Sequence, residues 1–161
     1  MRHVHLATGL ARRRDGAVLL VASRYANVAD PLWNLPGGRQ QPGELLRDTA
    51  VRELFEETGY RGRVAGLAYV SESYDRTDGV HFVNATFLLD IDGSEFEPGA
   101  RRRADDHVAD AAWVPLDEVA SRIAVAVVRE PLLAYLRGEL HERYAGFADA
   151  GITIRWLDDR A

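Results

Sequence analysis

The sequence predicts an α/β fold, helices layered on a mixed β-sheet, and three observations carry that expectation. Short apolar or alternating runs bounded by turn residues recur between residues 3 and 114. Two stretches, 44–58 and 130–144, are long and rich in helix formers. Strand-like and helix-like segments are interleaved along the chain, which layers helices on a sheet instead of separating the two into blocks. With 161 residues, 47% apolar and 28% charged, the chain has the size and composition of one globular domain, expected over 1–161.

Taken in order, residues 3–11 alternate loosely. Arg14-Asp15-Gly16 then signals a turn into the apolar run 17–22, so a β-hairpin is expected. Residues 27–34 read as irregular, since Pro31 excludes a regular helix. Leu35-Pro36-Gly37-Gly38 is a strand end entering a glycine loop. A helix is expected over 44–58, with Gly59 suited to the position just past its C-terminus. Strands follow around 64–71 and 80–91, split by the polar segment 73–79, and 92–106 is a charged loop. Residues 108–114 form a short strand. Residues 116–122 look helical, with Asp117 and Glu118 placing favourable charge at the N-terminus. A second long helix is expected over 130–144, Pro131 being tolerated in its first turn. Ile152, Ile154 and Trp156 alternate with Thr153 and Arg155, so a terminal strand is expected.

Composition excludes several chemistries. There is no cysteine, which removes disulfides, thiolate metal sites and cysteine nucleophiles together. A formal net charge of −5 argues against a partner that is a nucleic-acid polymer. No apolar run approaches the roughly 20 residues that span a bilayer, and no export signal opens the sequence; a cytoplasmic location is expected. The cluster Arg101-Arg102-Arg103 reads as a solvated loop, with a grip on substrate phosphates as the alternative.

The chemistry lies in residues 38–60. On a helix, Glu53, Glu56 and Glu57 fall within an arc of about 100°. Three carboxylates on one face repel one another, and Arg52 is the one adjacent cation. A hard divalent ion, Mg²⁺ or Mn²⁺, is the relief that oxygen ligands suit. Leu46, Ala50, Val51 and Leu54 occupy the neighbouring arc and pin the helix to the sheet.

The full pattern is more specific. Gly38, five residues, Glu44, seven residues, Arg52-Glu53-Leu54, one residue, Glu56-Glu57, one residue and Gly59 specify eight residues in 22 positions. This resembles the box of the Nudix hydrolase family (the MutT-like enzymes) at every fixed position, with Tyr60 standing where the family favours an aliphatic residue. Trp33-Asn34-Leu35-Pro36-Gly37-Gly38 is similar to the family's lead-in, and Trp113-Val114-Pro115-Leu116-Asp117-Glu118-Val119 to its final strand and helix start. The likeness covers residues 4–119.

The resemblance implies a Nudix-type α/β/α sandwich around a mixed sheet. It implies Mg²⁺- or Mn²⁺-dependent hydrolysis of a diphosphate bond in a small nucleotide. Glu53, Glu56 and Glu57 carry over as metal ligands with the Gly38 backbone, Gly37 beside it, and Arg52 as the residue that holds a box glutamate. Glu44 is expected in a supporting or substrate-side role. The general base is Glu57 or Glu53, with Asp106 as an outside candidate; His107 stands where many relatives carry a glutamate. Asp105 and Asp110 read as solvated charge, and His3 and His5 as surface residues. Tyr25, Trp33, Tyr74 and Phe82 are candidates to stack on a base, and His81 and Asn84 lie on a strand that could face the cleft.

Two other classes compete. An isomerase of the same fold would look to a cysteine, and there is none. A catalytically dead ligand-sensing domain would lack box acids that are all present here. By subgroup, ADP-ribose hydrolases tend to have a proline 15 or 16 residues after the box, where Asp75-Arg76 stand. Dinucleoside polyphosphate hydrolases tend to have a tyrosine, and Tyr74 comes a few residues early. A nucleoside triphosphate or related diphosphate derivative remains. Monomer and homodimer stay open.

Overall fold

The computed structural model describes residues 1–96 and 107–159. It contains eight strands: β1 (Arg2–Leu10), β2 (Val18–Ser23), β3 (Leu32–Asn34), β4 (Gly37–Arg39), β5 (Tyr60–Asp75), β6 (Val80–Phe96), β7 (Val108–Val114) and β8 (Tyr144–Phe147). Three α-helices accompany them: α1 (Leu46–Thr58), α2 (Val119–Arg122) and α3 (Ala126–Leu136). A single 3₁₀ turn, Leu116–Glu118, leads into α2.

The strands form two sheets. The larger has the order β4-β1-β6-β5-β8, in which β1 runs parallel to β6 and β5 parallel to β8, the other pairs being antiparallel. The smaller, β3-β2-β7, is antiparallel. Helix α1 packs on one side, where Leu54 joins Ala11, Leu19 and Leu89. On the other side Leu132, Ile123 and Val119 from α3 and its lead-in meet Leu10, Val18, Leu20, Tyr69 and Val114. Both faces of β2 are therefore covered, which is why its six residues are all buried and read as one apolar run. The α/β/α sandwich around a mixed sheet is as expected.

Several elements depart from expectation. The turn at Arg13–Ala17 forms, with Arg13 N–H donating to Ala17 O at 2.9 Å, but β1 and β2 do not pair as a hairpin. Only the bridge Arg12↔Val18 joins them. Beyond it the nine residues of β1 pair with β6 and those of β2 with β7, and these longer ladders outcompete the local one. Residues 32–34, read as irregular, pair with β2.

The polar segment 73–79 shrinks to a tight turn, because β5 and β6 extend through it. Asp75 Oδ1 caps the turn by accepting from Thr77 and Asp78 N–H at 2.9 and 3.2 Å. Part of the expected loop 92–106 is the end of β6, and the rest lies outside the described residues. Helix α1 starts at Leu46, since Gly43 holds φ +80° and turns the chain there. It ends at Gly59, φ +82°, whose N–H bonds Phe55 O.

The second long helix begins four residues before the expected start and stops at Leu136. Gly138 (φ +70°) ends it: its N–H donates to Tyr135 O and that of Glu139 to Ala134 O. Residues 152–156 are not a strand. The edge they would join is already taken by β8, paired with β5 through Val70↔Tyr144. The segment runs instead as a strap held by Asn27, whose Nδ2 donates to Thr153 O at 2.7 Å and whose Oδ1 accepts Arg155 N–H at 2.8 Å. Among the described residues, no helix is long and apolar enough to cross a membrane.

Candidate active site

Helix α1 carries its acids toward β4. Glu57 is 1% exposed: Oε1 accepts the Gly37 N–H at 2.7 Å, and Oε2 faces His107 Nε2 at 3.0 Å. Glu53 lies against Gly38 so closely that a Cβ there would sit 2.4 Å from its Oε1. A side chain at position 38 would push the Glu53 carboxylate out of its place, and this close approach is what the second glycine of the pair provides. The box thus folds as a helix face pressed on a two-glycine strand.

Arg52 organises the remaining charge. Its Nε donates to Glu44 Oε1 at 2.7 Å, and Nη1 donates to Glu53 Oε1 at 2.9 Å and Glu56 Oε2 at 3.1 Å. Nη2 reaches Arg39 O and Glu44 Oε2. Glu44 also accepts from Thr49 Oγ1 and Gln41 N–H, so both its oxygens are engaged in anchoring Arg52. The guanidinium and these donors hold the Glu44 carboxyl down at about 2.

The buried acids shift the other way. Burial first, then the Glu57 charge, pushes Glu53 up to about 7. Burial likewise raises Glu57, against the His107 and Gly37 hydrogen bonds that lower it. Tyr25 is pushed up to about 12 by desolvation and by Glu57. Arg52, the one adjacent cation, bridges three of the four carboxylates, Glu44, Glu53 and Glu56. Glu57 is excluded from that network and turns to β4 and His107. Among the described residues no three His, Asp or Glu side chains are drawn into one ready cation cluster, because Arg52 and His107 pull them to different partners.

A cleft opens beside Gly37 and Gly38. Tyr25, Trp33 and Phe82 line it, as does Asn84. Tyr74 does not: successive β5 residues alternate between faces, so Ser73 lines the cleft while Tyr74 stacks on His81 at 4.3 Å. His81 is likewise on the far face, with Nε2 2.7 Å from Glu72 Oε2 and Nδ1 3.2 Å from His3 Nδ1. Asp110 is exposed and accepts its neighbour Ala111 N–H. Asp105, Asp106 and the arginine cluster at 101–103 lie outside the described residues.

Sequence reasoning missed two groups. The strap brings Ile152, Ile154 and Trp156 to the cleft wall. Their alternation marks the face they share, although the backbone is not a strand. Arg39, next to Gly38, stacks over Trp156 at 4.5 Å and is bonded to Asp158 and Asp159; no spacing in the sequence links these residues.

The NUDIX domain profile matches residues 3–136. A proposed mutator protein, MutT4, of Mycobacterium tuberculosis is 34% identical over 152 residues, covering 89% of this chain and 58% of that protein. The ADP-ribose pyrophosphatase of Methanocaldococcus jannaschii is 36% identical over 86 residues, 53% of this chain and 50% of its own. The chain thus spans about half the length of the curated relatives it matches. Among solved structures, a NUDIX hydrolase from Nitrosomonas europaea superposes with a TM-score of 0.69 at 25% identity, covering 89% of this chain and 93% of that one. With its box folded as one helix face on the Gly37–Gly38 strand and the domain profile spanning most of its length, this chain belongs to the Nudix family.

Proposed function

We propose that the protein hydrolyses a diphosphate bond in a nucleoside tri- or diphosphate derivative, with a divalent cation held by Glu53, Glu56, Glu57 and the Gly38 backbone. The observation that carries this is the pair of acids, buried Glu57 and half-buried Glu53, set on one glycine strand at the mouth of an aromatic cleft. Two neighbouring carboxylates largely removed from water repel each other, and one guanidinium shared among Glu44, Glu53 and Glu56 leaves negative charge in surplus. An all-oxygen donor set with surplus negative charge fits a hard cation. Nudix hydrolases in general need divalent ions; we assign Mg²⁺ or Mn²⁺. Bound there, the ion supplies charge neutralisation for the diphosphate and a more acidic water.

The chain's own residues do the rest. Arg52 holds Glu53 and Glu56 in place and is itself fixed by Glu44. Glu57 is positioned to take a proton, its Oε1 committed to Gly37 and its Oε2 shared with His107; Glu53, held near 7, is the other acid able to do so near neutrality. The cleft seats the base between Tyr25, Trp33 and Phe82. Asp75-Arg76 in place of the subgroup proline favours nucleoside triphosphates over ADP-ribose. The test is chelation followed by restoring ions singly, over a panel of nucleoside triphosphates and ADP-ribose. Turnover is expected to vanish with the chelator and return with Mg²⁺ or Mn²⁺, with kcat/KM highest on a nucleoside triphosphate. Full turnover in chelator ends the mechanism, and a preference for ADP-ribose ends the subgroup assignment.

A further inference from the structure

Spacing along β1 puts His3 on one face with His5, but the fold gives His3 a different partner, His81. Strands β1 and β6 run parallel with His3↔His81 in register, so the two rings stand side by side on the sheet face turned away from the cleft. Their Nδ1 atoms face each other at 3.2 Å, with the ring planes at 76°. His3 is exposed and His81 half-buried, and the contact lies at the surface.

The surrounding side chains fix which His81 nitrogen carries the proton. His81 Nε2 lies 2.7 Å from Glu72 Oε2, and the other Glu72 oxygen accepts the Tyr144 O–H. Tyr144 first, then His81, holds the Glu72 carboxyl below its ordinary value, so Glu72 is an ionised acceptor that keeps a proton on Nε2. Nδ1 of the neutral ring is then a bare lone pair, and it faces His3. Tyr74 stacks flat on the His81 ring, 4.3 Å between centroids and 3° between planes, which clamps the ring in that pose.

The space between the two nitrogens can hold a proton or a cation. A proton requires His3 to donate from Nδ1. A divalent ion requires only the two lone pairs, and the spacing suits it: nitrogens bound at about 2.0–2.1 Å to a tetrahedral ion stand about 3.3 Å apart. A carboxylate on the far nitrogen is also what orients a histidine toward zinc.

We propose that His3 and His81 form a second metal site, separate from the box acids, for a nitrogen-preferring divalent ion such as Zn²⁺, with Glu72 orienting His81 from behind. Imidazole suits Zn²⁺, whereas the all-oxygen box suits a harder ion. No group of three His, Asp or Glu ligands stands ready among the described residues, so water completes the coordination. His3 and His81 are each the second residue of their strand, where a ladder frays, and the ion staples the start of the β1–β6 pair. The site shares no residue with the box and does not depend on the nucleotide reading.

The test is calorimetric titration with Zn²⁺ just above neutral pH, with excess Mg²⁺ present to hold the box acids. The imidazole ring protons of His3 and His81 are followed in parallel by NMR. Wild type is expected to bind one Zn²⁺ per chain at submillimolar concentration, with both sets of ring signals shifting together. His3→Ala and His81→Ala are each expected to remove that ion, and Glu72→Gln to weaken its binding by about tenfold or more. Because His3 is exposed, His3→Ala keeps the fold and stays informative even if His81→Ala does not. No saturable binding by wild type, binding that survives His3→Ala, or an affinity indifferent to Glu72→Gln overturns the proposal.

Discussion

Glu57 shows how far a single carboxylate can be read from its neighbours. Its two oxygens have different partners, a backbone N–H and a histidine. In Glu57→Gln the amide oxygen can keep the Gly37 bond while the amide nitrogen faces His107 Nε2. One charge leaves a crowded buried set, so the metal-free melting temperature is expected to hold or rise slightly. Turnover with saturating Mg²⁺ is expected to fall by on the order of 10² or more. If the variant melts far earlier and its folded fraction turns over normally, Glu57 is a structural acid. Glu53 gives a pH signature. Its carboxyl is raised from about 4.5 to about 7, so between those values the folded state keeps a proton that the unfolded chain has released. Stability of the metal-free protein therefore falls as pH rises across that window and levels off above 7, by about 1–3 kcal/mol. Glu57 adds to the same slope. Glu44, lowered to about 2, acts oppositely, its contribution being lost only as pH falls below about 4.5. Urea unfolding at pH 5 and pH 8 checks this: Glu53→Gln is expected to flatten the difference, and an unchanged slope refutes the assignment.

At the scale of the element, α1 is a device with two faces. Leu54 is fully buried against Ala11, Leu19 and Leu89, while Glu53 and Glu57 face β4. Leu54→Ala is expected to cost roughly 2–5 kcal/mol through the cavity it leaves, with kcat of the folded molecules within about twofold of wild type, the opposite pattern to Glu57→Gln. The neighbouring strand supplies a cross-check. A Cβ on Gly62 would meet Leu54 Cδ2 at 2.7 Å, so Gly62→Ala alone is expected to destabilise by overpacking, and to cost less in the Leu54→Ala background. A double-mutant cycle by urea denaturation reads this, and strict additivity contradicts the packing described. The extent of α1 was legible because good helix formers end at a glycine. Its start was misjudged by two residues because Glu44 looks like a helix former but is used as a side-chain anchor for Arg52.

Across the whole molecule, the strap joins distant parts of the chain. Trp156 packs edge-on to Phe82 at 6.0 Å and beneath Arg39, and Arg155 pairs with Asp78. Surface ion pairs of this kind contribute little individually, so the ring contacts carry most of the anchoring. Trp156→Ala is expected to speed amide exchange in residues 150–159 and to raise KM for the nucleotide several-fold while kcat stays within about twofold. Unchanged exchange together with unchanged KM would show that the strap is no part of the binding wall.

The sequence by itself determined the layered α/β class, the span and polarity of the box helix and the family. All three rest on local signals: helix formers, a terminating glycine, and eight residues at fixed spacing. It also marked the alternation of Ile152, Ile154 and Trp156, though it read their backbone as a strand. Only the tertiary structure decided that β1 and β2 part into different sheets, because that choice depends on which long ladder wins an edge. Only it turned Tyr74 and His81 away from the cleft, since the face a strand residue takes follows from register, and register is set by partners remote in sequence. The same holds for His107 on Glu57, Arg39 beneath the strap, and His3 against His81. Each is a contact between residues dozens of positions apart, carried by no spacing in the chain and fixed only when the sheets and helices pack.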